Sequence, residues 1–462
     1  MEDFKIKVLF CASEVAPFAK TGGLADVTGS LPQALEKLGV GTMIVTPRYR
    51  GMSGEKKKYS KSVSVYFAEN EAYFNRASFY GNEDGDYPDN LKRFSFLCEE
   101  ALRLAKSEGF RPDLVHAHDW QTGLLPVYLK TKFEADPFFK DTRSVMTIHN
   151  IAYQGIFPHR QFEDLGLSET LTFHEAFEYY GKINLLKAGI EFADGLTTVS
   201  PTYAREIQTK EGGFGLEGVV KKKNGRLRGI LNGVDYHSWD PASDKTIRRP
   251  YSSEALEGKA DCKADLQKSC GFNTDPEIPL FCVISRLVDQ KGLDLLTEIA
   301  DPFLSGKAQF VLLGDGEAVY KTAFRNIGRR HPKNSKVYLR FDAEEARKLY
   351  AGADFLLMPS TFEPCGLSQL ISLKYGTIPV VRHTGGLVDT IKDLEEDPEN
   401  GNGFVFMARS PEKLLETILR AEKFFQDKGR FQSVRKRIMK ADFSWEKSAA
   451  QYVEFYQEIL KK

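Results

Sequence analysis

Short runs rich in β-branched and aromatic residues alternate with amphipathic stretches along almost the whole chain. A run that is apolar throughout suits a strand buried on both faces, and helical stretches between such runs suit the crossovers that parallel strands need. The first half offers residues 7–11, 42–46, 113–117, 144–148 and 195–199 as strands; the second offers 280–284, 309–313, 336–340, 354–358 and 378–381. The alternation predicts an α/β protein with parallel sheets. At 462 residues the chain exceeds one ordinary domain. Residues 240–265 are polar, contain Pro241 and Pro250, and show no apolar stripe, so they read as the link between two α/β domains. The last stretch places Trp445, Ala449, Tyr452, Val453, Tyr456, Ile459 and Leu460 on one helical stripe.

Charge narrows the function classes. Lys and Arg together number 64, and so do Asp and Glu, giving a formal charge of zero. That balance argues against a nucleic-acid binder or a polybasic membrane anchor. No apolar run approaches the roughly 18 residues of a membrane helix. The apolar run after Lys5 and Lys7 soon meets Glu14, so it reads as a strand and not as a leader. Six cysteines occur without a CxxC pair, the pattern of reduced thiols in a cytoplasmic protein.

One motif occurs twice. Residues 20–27 read KTGGLADV and residues 383–390 read HTGGLVDT. Each Gly-Gly pair (Gly22–Gly23, Gly385–Gly386) lies between a strand and a helix. Glycine lets backbone approach a ligand closely, and a helix N-terminus is a seat for an anion. Lys20 adds a point charge beside the first copy. Both copies can equally serve as plain strand-to-helix turns.

Other polar groups cluster at strand ends. Arg286 and Lys291 follow the first strand of the second half. They fit a diphosphate holder that stabilises charge on a leaving group, or a solvated loop. Glu363 precedes a helix start with Pro364 in its first turn; it can cap the helix or bind ligand hydroxyls. His116 and His118 share a strand face, but no third metal ligand stands at useful spacing. His149 ends another strand. A DxD at 84–86 lies in a polar, turn-rich loop and reads as solvated. No GxSxG, HExxH or P-loop motif is present and no dinucleotide GxGxxG stands at the first turn, which weakens hydrolase, metalloprotease, P-loop and dehydrogenase readings.

The motifs together resemble the bacterial glycogen synthase and plant starch synthase family. They comprise residues 13–32, 87–94, 116–126, 147–155, 181–190, 197–207 and 230–235 in the first half. Residues 285–295, 360–370 and 384–390 continue the match in the second. The resemblance implies a GT-B architecture, two Rossmann-like domains facing a deep cleft. Its domains would be residues 1–244 on the acceptor side and 245–440 on the nucleotide-sugar side, with a helix at 441–462 crossing back to the first. It implies retaining transfer of glucose from ADP-glucose to the non-reducing end of an α-1,4-glucan such as glycogen, with no metal and no cofactor.

The same resemblance assigns roles. Lys20, Gly22 and Gly23 would meet the donor phosphates, as would Arg286 and Lys291. Gly385 and Gly386 would offer backbone N–H groups beside diphosphate and sugar. Glu363 would bind glucose hydroxyls and His149 the 6-hydroxyl region. Asp26, Tyr87, Asp119, Trp120 and Asn232 would support sugar and acceptor. Ser368 stands where the family more often has Thr. The alternatives are a UDP-glucose-using synthase, another GT-B enzyme with a small acceptor, and a catalytically silent glucan-binding protein. Oligomeric state is not readable from the sequence.

Overall fold

The computed structural model describes residues 5–83, 85–168 and 175–461. Contacts divide the chain into two units, one running to Gly233 and resuming at Trp445, the other Val234–Ser444.

The first unit is built on an eight-stranded sheet. From edge to edge its strands are Leu227–Gly229, Gly195–Thr198, Arg143–Ile148, Leu114–His118, Ile6–Cys11, Val40–Pro47, Val63–Ala68 and Lys56–Lys58. All pair in parallel except Lys56–Lys58, which runs antiparallel to Val63–Ala68. The second unit holds a six-stranded, wholly parallel sheet. Its order is Ser335–Tyr338, Gln309–Leu313, Leu280–Ile284, Phe355–Met358, Ile378–Arg382 and Phe404–Phe406. Each of the ten runs forms a strand; the central ones are apolar because they are buried on both faces, whereas the edge strand Ser335–Tyr338 is only partly buried.

Strand order reverses once in each sheet. The first chain segment builds outward from Ile6–Cys11 on one side, then returns to place Leu114–His118 on the other. The second builds from Leu280–Ile284 through Gln309–Leu313, then returns with Phe355–Met358. Such reversal points open a crevice at the carboxyl ends of the flanking strands, where ligands of open α/β sheets bind.

The C-terminal helix, Trp445–Leu460, packs into the first unit's core. Trp445, Ala449, Tyr452, Phe455, Tyr456 and Ile459 are buried with Val8, Leu31 and Leu35. Phe455 joins the stripe read from sequence, whereas Val453 and Leu460 are only partly buried.

The polar stretch 240–265 is not a bare link. It belongs to the second unit, which begins at Val234 and ends at Ser444, not at 245 and 440. The Val234 N–H donates to Phe443 O at 2.7 Å, tying the entering and leaving segments together. Asp244 accepts a hydrogen bond from Tyr375 Oη at 2.6 Å, and Trp239 packs edge-on to Tyr350. The stretch ends in a helix, Glu257–Cys270, that buries Lys259 and Lys263 beside Cys262 and Leu266. Buried lysines erased the apolar stripe by which this helix would have been recognised. All six cysteines are buried and free. No described helix is long and apolar enough to cross a membrane.

Candidate functional site

The second unit gathers its candidates around its reversal point. Arg286 and Lys291 follow strand Leu280–Ile284, Glu363 follows the adjacent Phe355–Met358, and Gly385–Gly386 follow the next, Ile378–Arg382. Lys291 Nζ lies 2.7 Å from Glu363 Oε2, and both side chains are largely buried. Ser360 Oγ donates to the same carboxylate oxygen at 2.9 Å. Backbone contacts fix the two loops: Thr361 N–H donates to Gln290 O, and Gly292 passes so near Pro359 that a Cβ there would sit 1.9 Å from its carbonyl oxygen. Arg286 is exposed and makes no ion pair among the described residues. It is a cation without a protein counter-charge at the mouth of this crevice.

The two TGGL copies are different turns. Gly385 has φ +48°, a left-handed conformation that favours glycine. Gly386 packs on Cys365, where a Cβ would lie 2.2 Å from the carbonyl oxygen. The Gly386 N–H, expected to face a ligand, donates instead to Glu363 O at 2.9 Å. This turn therefore holds the backbone of Glu363. Gly22, by contrast, is extended at φ −158°, with open space where a Cβ would be.

In the first copy the organiser is Glu14, a residue the motifs contained but the sequence reading did not single out. Its buried carboxylate accepts from Thr21 N–H, Gly22 N–H and Thr21 Oγ1, the last at 2.6 Å. Tyr80 Oη donates to its other face. A carboxylate thus occupies part of the anion seat formed by the turn. The only available sequence cue was an acid inside an apolar strand-to-helix loop. Gly23 opens the 15-residue helix Gly23–Lys37, and Lys20 Nζ pairs with Asp26 in its first turn at 2.6 Å.

Asp119 and His149 follow the neighbouring strands Leu114–His118 and Arg143–Ile148, both on one side of the first sheet's reversal point. Asp119 has φ +57°, strained for a non-glycine residue, and Asp119 Oδ1 accepts the His149 N–H at 2.7 Å. Burial, with help from the nearby charge of Glu14, pushes its carboxyl up to about 7. Burial drives the His149 imidazole down to about 3, so it is neutral at physiological pH. His149 Nε2 lies 3.0 Å from His118 Nδ1. The His118 ring stacks on His116 at 4.3 Å, and His116 Nδ1 meets Tyr456 Oη at 2.8 Å. Both nitrogens of His116 are engaged, the second by Thr147 Oγ1, so it offers no metal a ligand. No group of three or more candidate metal ligands occurs among the described residues.

Trp120 is buried against Phe94 and the backbone of Gly155. Tyr87 is half-buried, with the Arg76 and Arg93 guanidinium groups over its ring at 4.7 and 5.0 Å. Asn232 is buried past the edge strand, and its side-chain oxygen has no hydrogen-bond partner. Of the DxD, Asp84 lies outside the described residues and Asp86 is exposed.

Residues 7–222 match the family described as starch synthase catalytic domain, and residues 266–432 match glycosyl transferases group 1. The chain is 44% identical over 481 residues to a glycogen synthase of Geotalea uraniireducens, covering 99% of each. It is 44% identical to glycogen synthase 2 of Geobacter sulfurreducens, covering 98% of each. The catalytic domain of starch synthase IV from Arabidopsis thaliana, in a structure bound to ADP and acarbose, superimposes with a TM-score of 0.91. That likeness holds at 31% identity and covers 99% of this chain and all of the other. Two Rossmann-like parallel sheets with these matches define a GT-B glycosyltransferase. More narrowly, the chain belongs to the glycogen synthase and starch synthase family.

Proposed function

We propose that this glucan synthase transfers glucose from ADP-glucose to the non-reducing end of an α-1,4-glucan, with retention at the anomeric carbon and release of ADP. The observation that carries the reading is the Lys291–Glu363 pair across the second sheet's reversal point, with Arg286 on the same loop. The ADP bound to the Arabidopsis domain supports the choice of donor.

Cleavage of the donor builds positive charge on the glucosyl ring and negative charge on the diphosphate. Arg286 and Lys291 lower the second cost, acting as cations already in place. Lys20 serves the donor phosphates too, and Gly22–Gly23 bring backbone close to them. The bond from C1 to the phosphate oxygen breaks, and a bond from C1 to the acceptor 4-hydroxyl oxygen forms on the same face. The acceptor's proton passes to the departing phosphate oxygen. Glu363 accepts hydrogen bonds from glucose hydroxyls, and Gly385–Gly386 hold it in place. Neutral His149 serves the 6-hydroxyl, oriented by Asp119 and His118. Asp26, Tyr87, Trp120 and Asn232 support sugar and acceptor. Every step of this chemistry is carried by side chains and backbone, with no role for a metal or cofactor.

Incubation of the purified protein with ADP-glucose and maltotetraose, after dialysis against a chelator, tests the reading. Maltopentaose and ADP in equal amounts are expected. Transfer from UDP-glucose alone, or loss of activity restored by a divalent ion, would contradict the donor or the metal-independent chemistry respectively.

A further inference from the structure

His116, His118 and His149 run in file in the first unit, and the protons between the last two can be counted. His118 is fully buried, and its ring stacks on those of His116 and Phe10. Thr122 Oγ1 accepts the His118 N–H at 2.6 Å and donates to His118 O at 2.8 Å, so the backbone is pinned as well. His118 Nδ1 meets His149 Nε2 at 3.0 Å. The ring centroids stand 5.3 Å apart with planes 30° from parallel, which places the contact nearly in line with both rings. The other nitrogen of His118, Nε2, is buried and has no hydrogen-bond partner among the described residues. His149 is half-buried, and its Nδ1 makes no hydrogen bond to a described residue.

Burial keeps these imidazoles neutral: it lowers His116 and His149 to about 3, and His118 falls well below its ordinary value. A neutral imidazole carries one proton, on one nitrogen or the other. Two arrangements then satisfy the contact. In the first, His149 Nε2–H donates to His118 Nδ1. The His118 proton falls on Nε2, a buried N–H with no acceptor. In the second, His118 Nδ1–H donates to His149 Nε2. His118 Nε2 then keeps only a lone pair, and the His149 proton moves to Nδ1. Orphaned buried N–H groups are rare, and an unfilled acceptor is somewhat better tolerated. The second arrangement is favoured.

We propose that His118 is a positioning residue that fixes His149 as the tautomer protonated on Nδ1, so that His149 offers a sugar hydroxyl a hydrogen-bond donor and not an acceptor. The hydrogen bond at one imidazole nitrogen sets the state of the other. The inference rests on the reading that His149 meets the 6-hydroxyl of the donor glucose. That oxygen accepts from His149 and gives its own proton elsewhere. A sugar with no acceptor at C6 would leave the His149 N–H unpaired.

NMR of the full chain with isotope-labelled histidine ring nitrogens tests the tautomer directly, the His149 signals being assigned by their loss in His149→Gln. Protonated Nδ1 and bare Nε2 are expected at neutral pH without donor; the reverse would overturn the proposal. His118→Leu removes the donor and should release His149 toward the Nε2–H form. His118→Asn, whose amide N–H can stand where Nδ1–H stood, should hold the wild-type form. A folded His118→Leu chain with the His149 tautomer unchanged would also overturn the proposal. Donor analogues test the contact separately. Wild type should use the 6-deoxy-6-fluoro analogue of ADP-glucose about threefold better in kcat/KM than the 6-deoxy analogue, since fluorine accepts a hydrogen bond and a methyl group does not. The preference should vanish in His118→Leu and persist in His118→Asn. Structural damage alone would lower both analogues alike, and an unchanged ratio in His118→Leu would remove His118 from the role. No preference in wild type, with His149 protonated on Nδ1, would contradict the 6-hydroxyl contact and not the tautomer.

Discussion

Lys291 Nζ and Glu363 Oε2 meet at 2.7 Å across the point where the second sheet reverses its strand order. Each is the other's counter-charge. In the proposed reaction, the donor diphosphate becomes the partner of Lys291 and leaves Glu363 oxygens for sugar hydroxyls.

Lys291→Ala should therefore cut turnover far more than glucan binding. Loss of one preorganised stabiliser of leaving-group charge typically costs about 3–4 kcal/mol, or roughly 10²–10³ in kcat. Steady-state kinetics beside glycogen co-sedimentation would check this. A folded variant with near-normal kcat would remove Lys291 from the chemistry.

Glu363→Gln keeps shape and loses charge. If Glu363 positions hydroxyls and does not attack the sugar, activity should fall while intact-protein mass spectrometry of the wild type with donor finds no glucosyl adduct. A covalent glucose mapped to Glu363 would establish double displacement instead.

The two glycine turns should respond unequally. Gly22→Ser adds a side chain into open space at a helix N-cap, a position that suits serine. Unfolding stability should stay within about 0.5 kcal/mol of wild type. Gly386→Ala drives a Cβ against Cys365 O and should cost at least about 1–3 kcal/mol, displacing Glu363 as well. Denaturant titration distinguishes the two, and equal losses would contradict the difference in geometry.

Asp119 makes a pH prediction. Its folded carboxyl titrates at about 7, against an unfolded value near 3.9, so between those values the folded chain binds more protons. The stability this confers is present at low pH and lost as pH rises through the window. Asp119→Asn keeps an acceptor for the His149 N–H and does not titrate. The Tm of the variant minus that of wild type should grow more positive from pH 5 to pH 8. A difference independent of pH would contradict the raised carboxyl.

Much of this was legible in the chain. Ten of the fourteen strands of the two main sheets could be read, most of them as the continuous apolar runs of doubly buried parallel strands; Val63–Ala68, Leu227–Gly229 and Phe404–Phe406 were not singled out. Lys56–Lys58 could not be read, since it is an exposed edge strand made only of lysine. Helix Glu257–Cys270 was hidden by two buried lysines whose partners are remote in sequence: Lys263 pairs with Asp354, and Lys259 donates to Tyr350 O, Ala351 O and Thr377 Oγ1. Lys291, Glu363 and the glycine turns stood out because each follows a strand. The use of Glu14 and of Gly386 N–H did not, because a hydrogen bond has no periodicity. The same four letters, TGGL, gave an extended Gly22 and a left-handed Gly385; neighbouring backbone decided between them.

The most direct measurement of the proposed reaction follows the product's new anomeric proton by NMR, with ADP-glucose as donor and a maltooligosaccharide as acceptor. Retaining transfer predicts an α-1,4 signal from the first turnover, growing in step with ADP release. A β-linked product, or ADP release with free glucose and no longer oligosaccharide, would contradict the account.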